Sequence, residues 1–125
     1  MSQVPKILIV EDSYFNQVLV ESLLNSWGIG TTTCKNAEDA LSNLANEHFE
    51  LVILDLMLPG MDGFEFLSKK KQLNDSTPVI IVSAKADKAS IERTKELGAT
   101  DFLAKPFRSE TFKSLITKHL NQQEQ

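Results

Sequence analysis

Three short runs decide the fold: Ile7-Leu8-Ile9-Val10, Leu51-Val52-Ile53-Leu54 and Val79-Ile80-Ile81-Val82. Each is an unbroken apolar quartet, rich in β-branched residues. A strand with one wet face alternates polar and apolar side chains; a strand covered on both faces does not. The quartets therefore predict inner strands of a parallel sheet sandwiched between helices. Asp101-Phe102-Leu103-Ala104 reads as a weaker strand. Thr31–Lys35, β-branched but polar, suits a sheet edge.

Helical spacing fills the gaps. Leu19, Val20, Leu23, Leu24 and Trp27 form one stripe, and Gly28 supplies its stop. Ala37, Ala40, Leu41, Leu44 and Ala45 form a second, with Asn36 placed to cap it. A third helix is expected over residues 64–73, opened by Gly63, with Lys69-Lys70-Lys71 on a solvated face. A fourth is expected around Ala89–Leu97, ending at Gly98. The fifth carries Phe112, Leu115, Ile116 and Leu120, with Ser109 as its cap. Five strand–helix repeats predict an α/β three-layer sandwich with right-handed crossovers. The expected arrangement is flavodoxin-like, (βα)5, with a parallel sheet of order 2-1-3-4-5.

The composition agrees with one ordinary domain. The chain has 125 residues, 42% hydrophobic and 24% charged, which excludes disordered, collagen-like and coiled-coil classes. Residues 1–125 are expected to form a single domain with its core over about 6–120 and a frayed polar tail over 121–125. Cys34 has no partner for a disulfide and reads as a small apolar residue. The apolar quartets are far too short for a signal-peptide core or a spanning helix, so the cytoplasm is expected, without membrane contact. A net charge of −4 argues against nucleic acid as a partner. That charge is unevenly spread: residues 1–62 carry two lysines against nine acids, net −7, and residues 63–125 carry eleven basic residues against eight acids, net +3. His48 and His119 are too few and too isolated for a transition-metal site and are expected at the surface.

In open parallel sheets, ligands bind beyond the carboxyl ends of the strands, where the strand order reverses. Glu11 and Asp12 follow the first strand, Asp55 the third, Ser83 the fourth and Lys105 the fifth. Strands one and three are neighbours in the order 2-1-3-4-5, so the three acids are expected side by side. Clustered carboxylates repel unless a cation intervenes. Their hard oxygens favour magnesium or calcium over zinc, and so small a set leaves room for waters and a phosphate oxygen. Lys105 offers a second positive charge and Ser83 a hydroxyl donor. An aspartate flanked by metal and lysine is equipped to attack phosphorus. There is no G-x-G-x-x-G or G-K-[ST] loop to cradle a nucleotide.

Val10-Glu11-Asp12-Ser13, the run from Leu54 to Gly63 (LDLMLPGMDG), Val82-Ser83-Ala84 and the run from Gly98 to Phe107 (GATDFLAKPF) together resemble the receiver domain of two-component response regulators, of which the chemotaxis regulators are examples. The likeness runs from about Lys6 to Leu120. It implies that Asp55 is the phosphoacceptor, taking its phosphoryl group from the phosphohistidine of a histidine kinase or histidine phosphotransfer protein. It implies a Mg2+ held by Asp12, Asp55 and the Met57 carbonyl, with Glu11 acting largely through water. Lys105 is implied to pair with Asp55 or the phosphoryl group, and its bond to Pro106 is implied to be cis. Ser83 and Phe102 are implied to be a switch pair that reshapes the face made by the fourth helix, fifth strand and fifth helix. Two departures matter. Ser83 stands where threonine is frequent, and Phe102 lacks the hydroxyl of the frequent tyrosine. Met57 and Lys85 occupy positions that tune aspartyl-phosphate lifetime in the family, and the bulky thioether predicts slow self-dephosphorylation.

The expected role is thus a switch that contacts partners. It is not an enzyme with turnover on a free substrate, beyond self-phosphorylation from small donors and self-dephosphorylation. The alternatives are an aspartate-nucleophile phosphatase, which normally wants a second acid where Met57 stands, and a flavodoxin-like FMN carrier, whose phosphate loop would be replaced here by Glu11 and Asp12. A receiver that is never phosphorylated conflicts with the intact Asp12, Asp55, Ser83 and Lys105. With no output domain after residue 120, the expectation is either a stand-alone regulator or a receiver from a hybrid kinase; Asn16-Gln17 resembles the latter. Lys88, Arg93, Lys95, Arg108, Lys113 and Lys118 are expected on the partner face, giving a preference for acidic partners.

Overall fold

Strands and helices alternate without exception in the computed structural model, which describes residues 4–123 and side chains as far as residue 120. The order is β1 (Lys6–Val10), α1 (Tyr14–Ser26), β2 (Gly30–Cys34), α2 (Ala37–Asn46), β3 (Leu51–Leu54), α3 (Gly63–Gln72), β4 (Val79–Ser83), α4 (Lys88–Glu96), β5 (Asp101–Ala104) and α5 (Ser109–Gln123). All pairings are parallel, and the sheet order is β2-β1-β3-β4-β5, as expected.

Each inner strand sends alternate side chains to opposite faces. Leu8, Val10, Val52, Leu54 and Ile81 pack with Ala37 and Ala40 of α2 and with Phe64, Phe66 and Leu67 of α3. Ile7, Ile9, Leu51, Ile53, Ile80 and Val82 pack with Val20 and Leu24 of α1 and with Phe112 and Ile116 of α5. The quartets lack alternation because both faces are covered. The edge strands are only half-buried over Thr31–Thr33 and Asp101–Leu103, which matches their weaker apolar character.

Caps fix the helix starts. Ser13, Asn36, Asp62 and Asp87 each accept a backbone N–H three residues on. Gly28 and Gly98 follow α1 and α4 at φ +78° and +100°, a region L side chains avoid.

Several expectations need correction. Ser109 does not cap α5. It lies inside the helix, and Arg108 supplies the carbonyl that accepts from Phe112 N–H. The α5 backbone runs through Gln123, into the tail expected over 121–125; residues 124 and 125 lie outside the described residues. Leu19 is 40% exposed, so the buried stripe of α1 is Gln17, Val20 and Leu24. Lys70 is buried, its ammonium 3.1 Å from Asp75 Oδ1 and donating to the Asp75 carbonyl at 3.0 Å; the lysine run is not uniformly solvated. His119 is buried as well, with Nε2 3.1 Å from Asp101 Oδ2, whereas His48 is exposed as expected. Arg93 turns towards α3, its guanidinium 4.2 Å from the Phe64 ring centre, and Lys113 sits 5.6 Å from the Trp27 ring centre on the α1 side.

Candidate functional site

The backbone ladder extends one residue past the strands and fixes the first members of the site. Glu11 N–H donates to the Cys34 carbonyl, Asp55 N–H to Val10 and Lys105 N–H to Ser83, each at 3.0 Å. Val10 pairs with Leu54 and Ser83 with Ala104, so Glu11, Asp55, Ser83 and Lys105 emerge together on one rim.

Their side chains form one network. Lys105 Nζ donates to Glu11 Oε1 at 2.5 Å and to Asp55 Oδ2 at 3.0 Å. Ser83 Oγ donates to Asp55 Oδ1 at 2.8 Å, and the Met57 N–H reaches the same oxygen at 3.1 Å. Ser83 Oγ in turn accepts from Lys85 N–H at 3.2 Å, which ties the loop before α4 to the pocket. Glu11 Oε2 accepts from Ser13 N–H at 3.1 Å. Glu11, Asp55 and Ser83 are buried, while Asp12 and Met57 stand exposed at the mouth. Burial works against the Lys105 ammonium, but its hydrogen bonds to Glu11 and Asp55 and their negative charges outweigh that and hold its pKa above the ordinary lysine value.

The floor of the pocket is set by close packing. A Cβ on Gly63 would stand 2.7 Å from Leu56 Cα and 3.0 Å from the Asp55 carbonyl oxygen. Glycine therefore lets α3 start directly beneath the loop that follows Asp55, and Gly63 N–H donates to the Leu56 carbonyl at 3.0 Å.

The donor chemistry fits a hard cation. Asp12 and Asp55 offer carboxylate oxygens and Met57 a carbonyl. No group of three His, Cys, Asp or Glu among the described residues is arranged to hold an ion by itself. An ion here has to complete its shell with water or a ligand oxygen, the habit of Mg2+ rather than Zn2+.

Phe102, on β5, is half-buried against the core beside α4 and lines a groove of ≈ 450 Å³ between α4 and β5 with Ile91, Thr94, Lys95 and Asp101. Asp101 Oδ1 accepts from Phe102 N–H at 2.9 Å while Oδ2 faces His119. Sequence reasoning missed His119, Lys70 and Gln17. All three lie on the apolar stripes of their helices, at helical spacing from Ile116, Phe66 and Val20, and that spacing was the signal available.

The family model described as "Response regulator receiver domain" matches residues 7–117. The chain belongs to this family. It is 37% identical over 115 residues to the sporulation initiation phosphotransferase F of Bacillus subtilis (strain 168), covering 92% of this chain and 93% of that protein. It is 35% identical over 120 residues to the response regulator ArlR of Staphylococcus aureus (strain Mu50), covering 96% of this chain and about half, 54%, of that protein. Among solved structures, a CheY-like receiver domain protein from Methanospirillum hungatei JF-1 superposes with a TM-score of 0.91 at 27% identity, covering 98% of both chains. Receiver domains are signalling domains of two-component systems, not enzymes of the usual kind; they bind Mg2+ and work with histidine kinases and downstream targets. No helix among the described residues of this receiver domain is long and apolar enough to cross a membrane.

Proposed function

We propose that this receiver domain is a phosphorylation-dependent switch in which Asp55 accepts the phosphoryl group from the phosphohistidine of a histidine kinase or histidine phosphotransfer protein. The observation that carries this reading is the convergence of an ammonium and a hydroxyl on one buried carboxylate, with Lys105 Nζ at 3.0 Å and Ser83 Oγ at 2.8 Å. In the transfer, an Asp55 carboxylate oxygen forms the new O–P bond as the N–P bond of the donor breaks. The departing imidazole nitrogen keeps the electron pair and takes a proton from solvent.

Asp12, Asp55 and the Met57 carbonyl would hold Mg2+, with Glu11 aiding through water, and the ion would supply positive charge to offset the carboxylates and the incoming phosphoryl oxygens. Lys105 keeps the pocket cationic on its other side and pairs with the phosphoryl group once it arrives. Ser83 transfers its hydrogen bond from Asp55 to a phosphoryl oxygen, and Phe102 turns into the space that Ser83 leaves. Because Ser83 Oγ also accepts from Lys85 N–H, its movement pulls on the loop before α4. The phosphoryl group thereby biases a two-state equilibrium of the α4-β5-α5 face.

That face is the proposed surface for a downstream protein or for phosphorelay, with no direct nucleic-acid binding, in the cytoplasm, from one receiver unit spanning about 6–120. Lys95, which lines the groove, and Lys118, 4.0 Å from Asp101, are the cations that favour an acidic partner there. The exposed apolar Met57, where a phosphatase would want its second acid, disfavours that alternative.

The test is incubation with a small phosphodonor and Mg2+, read by intact mass. A gain of one phosphoryl group that vanishes in Asp55→Asn or with a chelator is expected. No adduct with any donor overturns the reading.

A further inference from the structure

We propose that Gln17 is a positioning residue for the cation-binding loop, holding the Glu11–Asp12 peptide in place through its side-chain amide. The inference rests on the proposed function for what the loop binds.

Gln17 stands in α1 on the same buried stripe as Val20 and Leu24. An amide at such a place is costly unless it is hydrogen-bonded. Its Nε2 donates to the backbone carbonyl of Glu11 at 2.6 Å, in a buried bond. That carbonyl belongs to the peptide that leads into Asp12. A peptide unit is planar, so fixing the Glu11 carbonyl also fixes the Asp12 N–H and the direction in which the chain leaves.

The Glu11 side chain and N–H are held by other groups: Lys105 on Oε1, Ser13 N–H on Oε2, and the Cys34 carbonyl on the N–H. Those bonds secure Glu11 itself. The Asp12 carboxylate is exposed, with no hydrogen bond or ion pair of its own among the described residues. Its placement follows from the peptide before it, and Gln17 is the side chain on that peptide. Small hard cations tolerate little error in oxygen position, and groups that orient metal ligands from behind commonly matter tenfold or more in affinity.

The experiment uses the full chain, with Mg2+ alone as probe, in titrations followed by calorimetry and by backbone amide shifts. Gln17→Met keeps length and removes the donor; it is expected to raise the Mg2+ midpoint about tenfold and to displace the Asp12 amide resonance in metal-free protein. Gln17→His returns a neutral N–H at the same number of bonds from the backbone and is expected to bring the midpoint back to within about threefold of wild type. Thermal unfolding without Mg2+ separates these effects from general loss of stability. Should Gln17→Met not fold, Gln17→Asn, too short to reach the carbonyl, serves the same comparison. Wild-type binding that is unchanged in Gln17→Met, or a histidine variant as weak as the methionine one, overturns the role of Gln17 alone. Wild type that shows no Mg2+ response, and matches Asp12→Asn, overturns the site reading and this role with it.

Discussion

Lys105 Nζ donates to Glu11 Oε1 at 2.5 Å, closing the pocket across 94 positions of sequence. The same ammonium holds Asp55 Oδ2 at 3.0 Å, so one cation compensates two buried carboxylates. Lys105→Met leaves both acids facing each other without it. Removing one partner from such a group is expected to destabilise the fold by about 2 kcal/mol, below the figure for a fully enclosed pair because the mouth is wet. Mg2+ bound as proposed would supply positive charge to the same acids, so the loss is expected to shrink when Mg2+ is added. Thermal unfolding of both proteins with and without Mg2+ checks this; an equal loss in both conditions contradicts it.

The pH profile follows from opposite shifts at two ends. The Lys105 pKa is raised in the folded state, so its contribution is complete below the ordinary lysine value, about 10.4, and is lost as pH rises through the folded value. The Asp101 pKa is lowered: burial opposes its charge, but the hydrogen bonds from His119 and Phe102 N–H and the nearby charges of His119 and Lys118 outweigh it. Its contribution is complete above about 3.9 and is lost as pH falls through the folded value. Denaturant unfolding across pH is expected to show Lys105→Met flattening the alkaline limb and Asp101→Asn the acid limb.

Lys70 and Asp75 make an asymmetric pair. Lys70 is buried and its ammonium is 3.1 Å from Asp75 Oδ1, while the Asp75 carbonyl also accepts from it at 3.0 Å. Asp75→Ala leaves a buried ammonium with one partner and is expected to cost about 2 kcal/mol. Lys70→Met fills the same space without a charge and is expected to cost less than about 1 kcal/mol. Chemical denaturation of the two variants decides; a larger loss for Lys70→Met overturns the assignment.

The sheet and the rim were legible because their signals are local. An unbroken quartet such as Leu51–Leu54 has only one comfortable place, and the residue after it must stand at the sheet's carboxyl edge. Polar residues on helices were read less well, for one shared reason. Polarity alone puts Lys70 and His119 at the surface and says nothing of Gln17, yet each continues an apolar stripe: Gln17 with Val20 and Leu24, Lys70 with Phe66, His119 with Phe112 and Ile116. What makes their burial tolerable is a partner distant in sequence or outside the helix (the Glu11 carbonyl, Asp75, Asp101), and helical periodicity carries no record of it. Element alone puts the cations Arg93 and Lys113 on the partner face, and the rings of Phe64 and Trp27 draw them to other sides.

Gly63 couples packing to the site. A Cβ there would stand 2.7 Å from Leu56 Cα, against backbone that cannot swing aside. Gly63→Ala is expected to cost about 2 kcal/mol and to move the loop after Asp55. The second effect is read as weaker Mg2+ binding in the folded variant at a temperature well below its unfolding midpoint. Wild-type Mg2+ affinity there would separate the glycine's packing role from the pocket.

Met57 tests the chemistry at the mouth. Its side chain is 61% exposed, two residues after Asp55, and a thioether has no hydrogen to donate and only weak capacity to accept one. Water that attacks an aspartyl-phosphate from this side is therefore not oriented by residue 57. Met57→Asn places an amide at the same spot, able both to donate to and to accept from that water. The phosphorylated protein is expected to lose its phosphoryl group several-fold faster in Met57→Asn than in wild type, with little change in unfolding midpoint because the side chain is exposed. Phosphorylating both proteins with a small donor, removing the donor and following intact mass with time gives the two lifetimes. Equal lifetimes would show that some other group at the mouth, Lys85 first among them, controls the water.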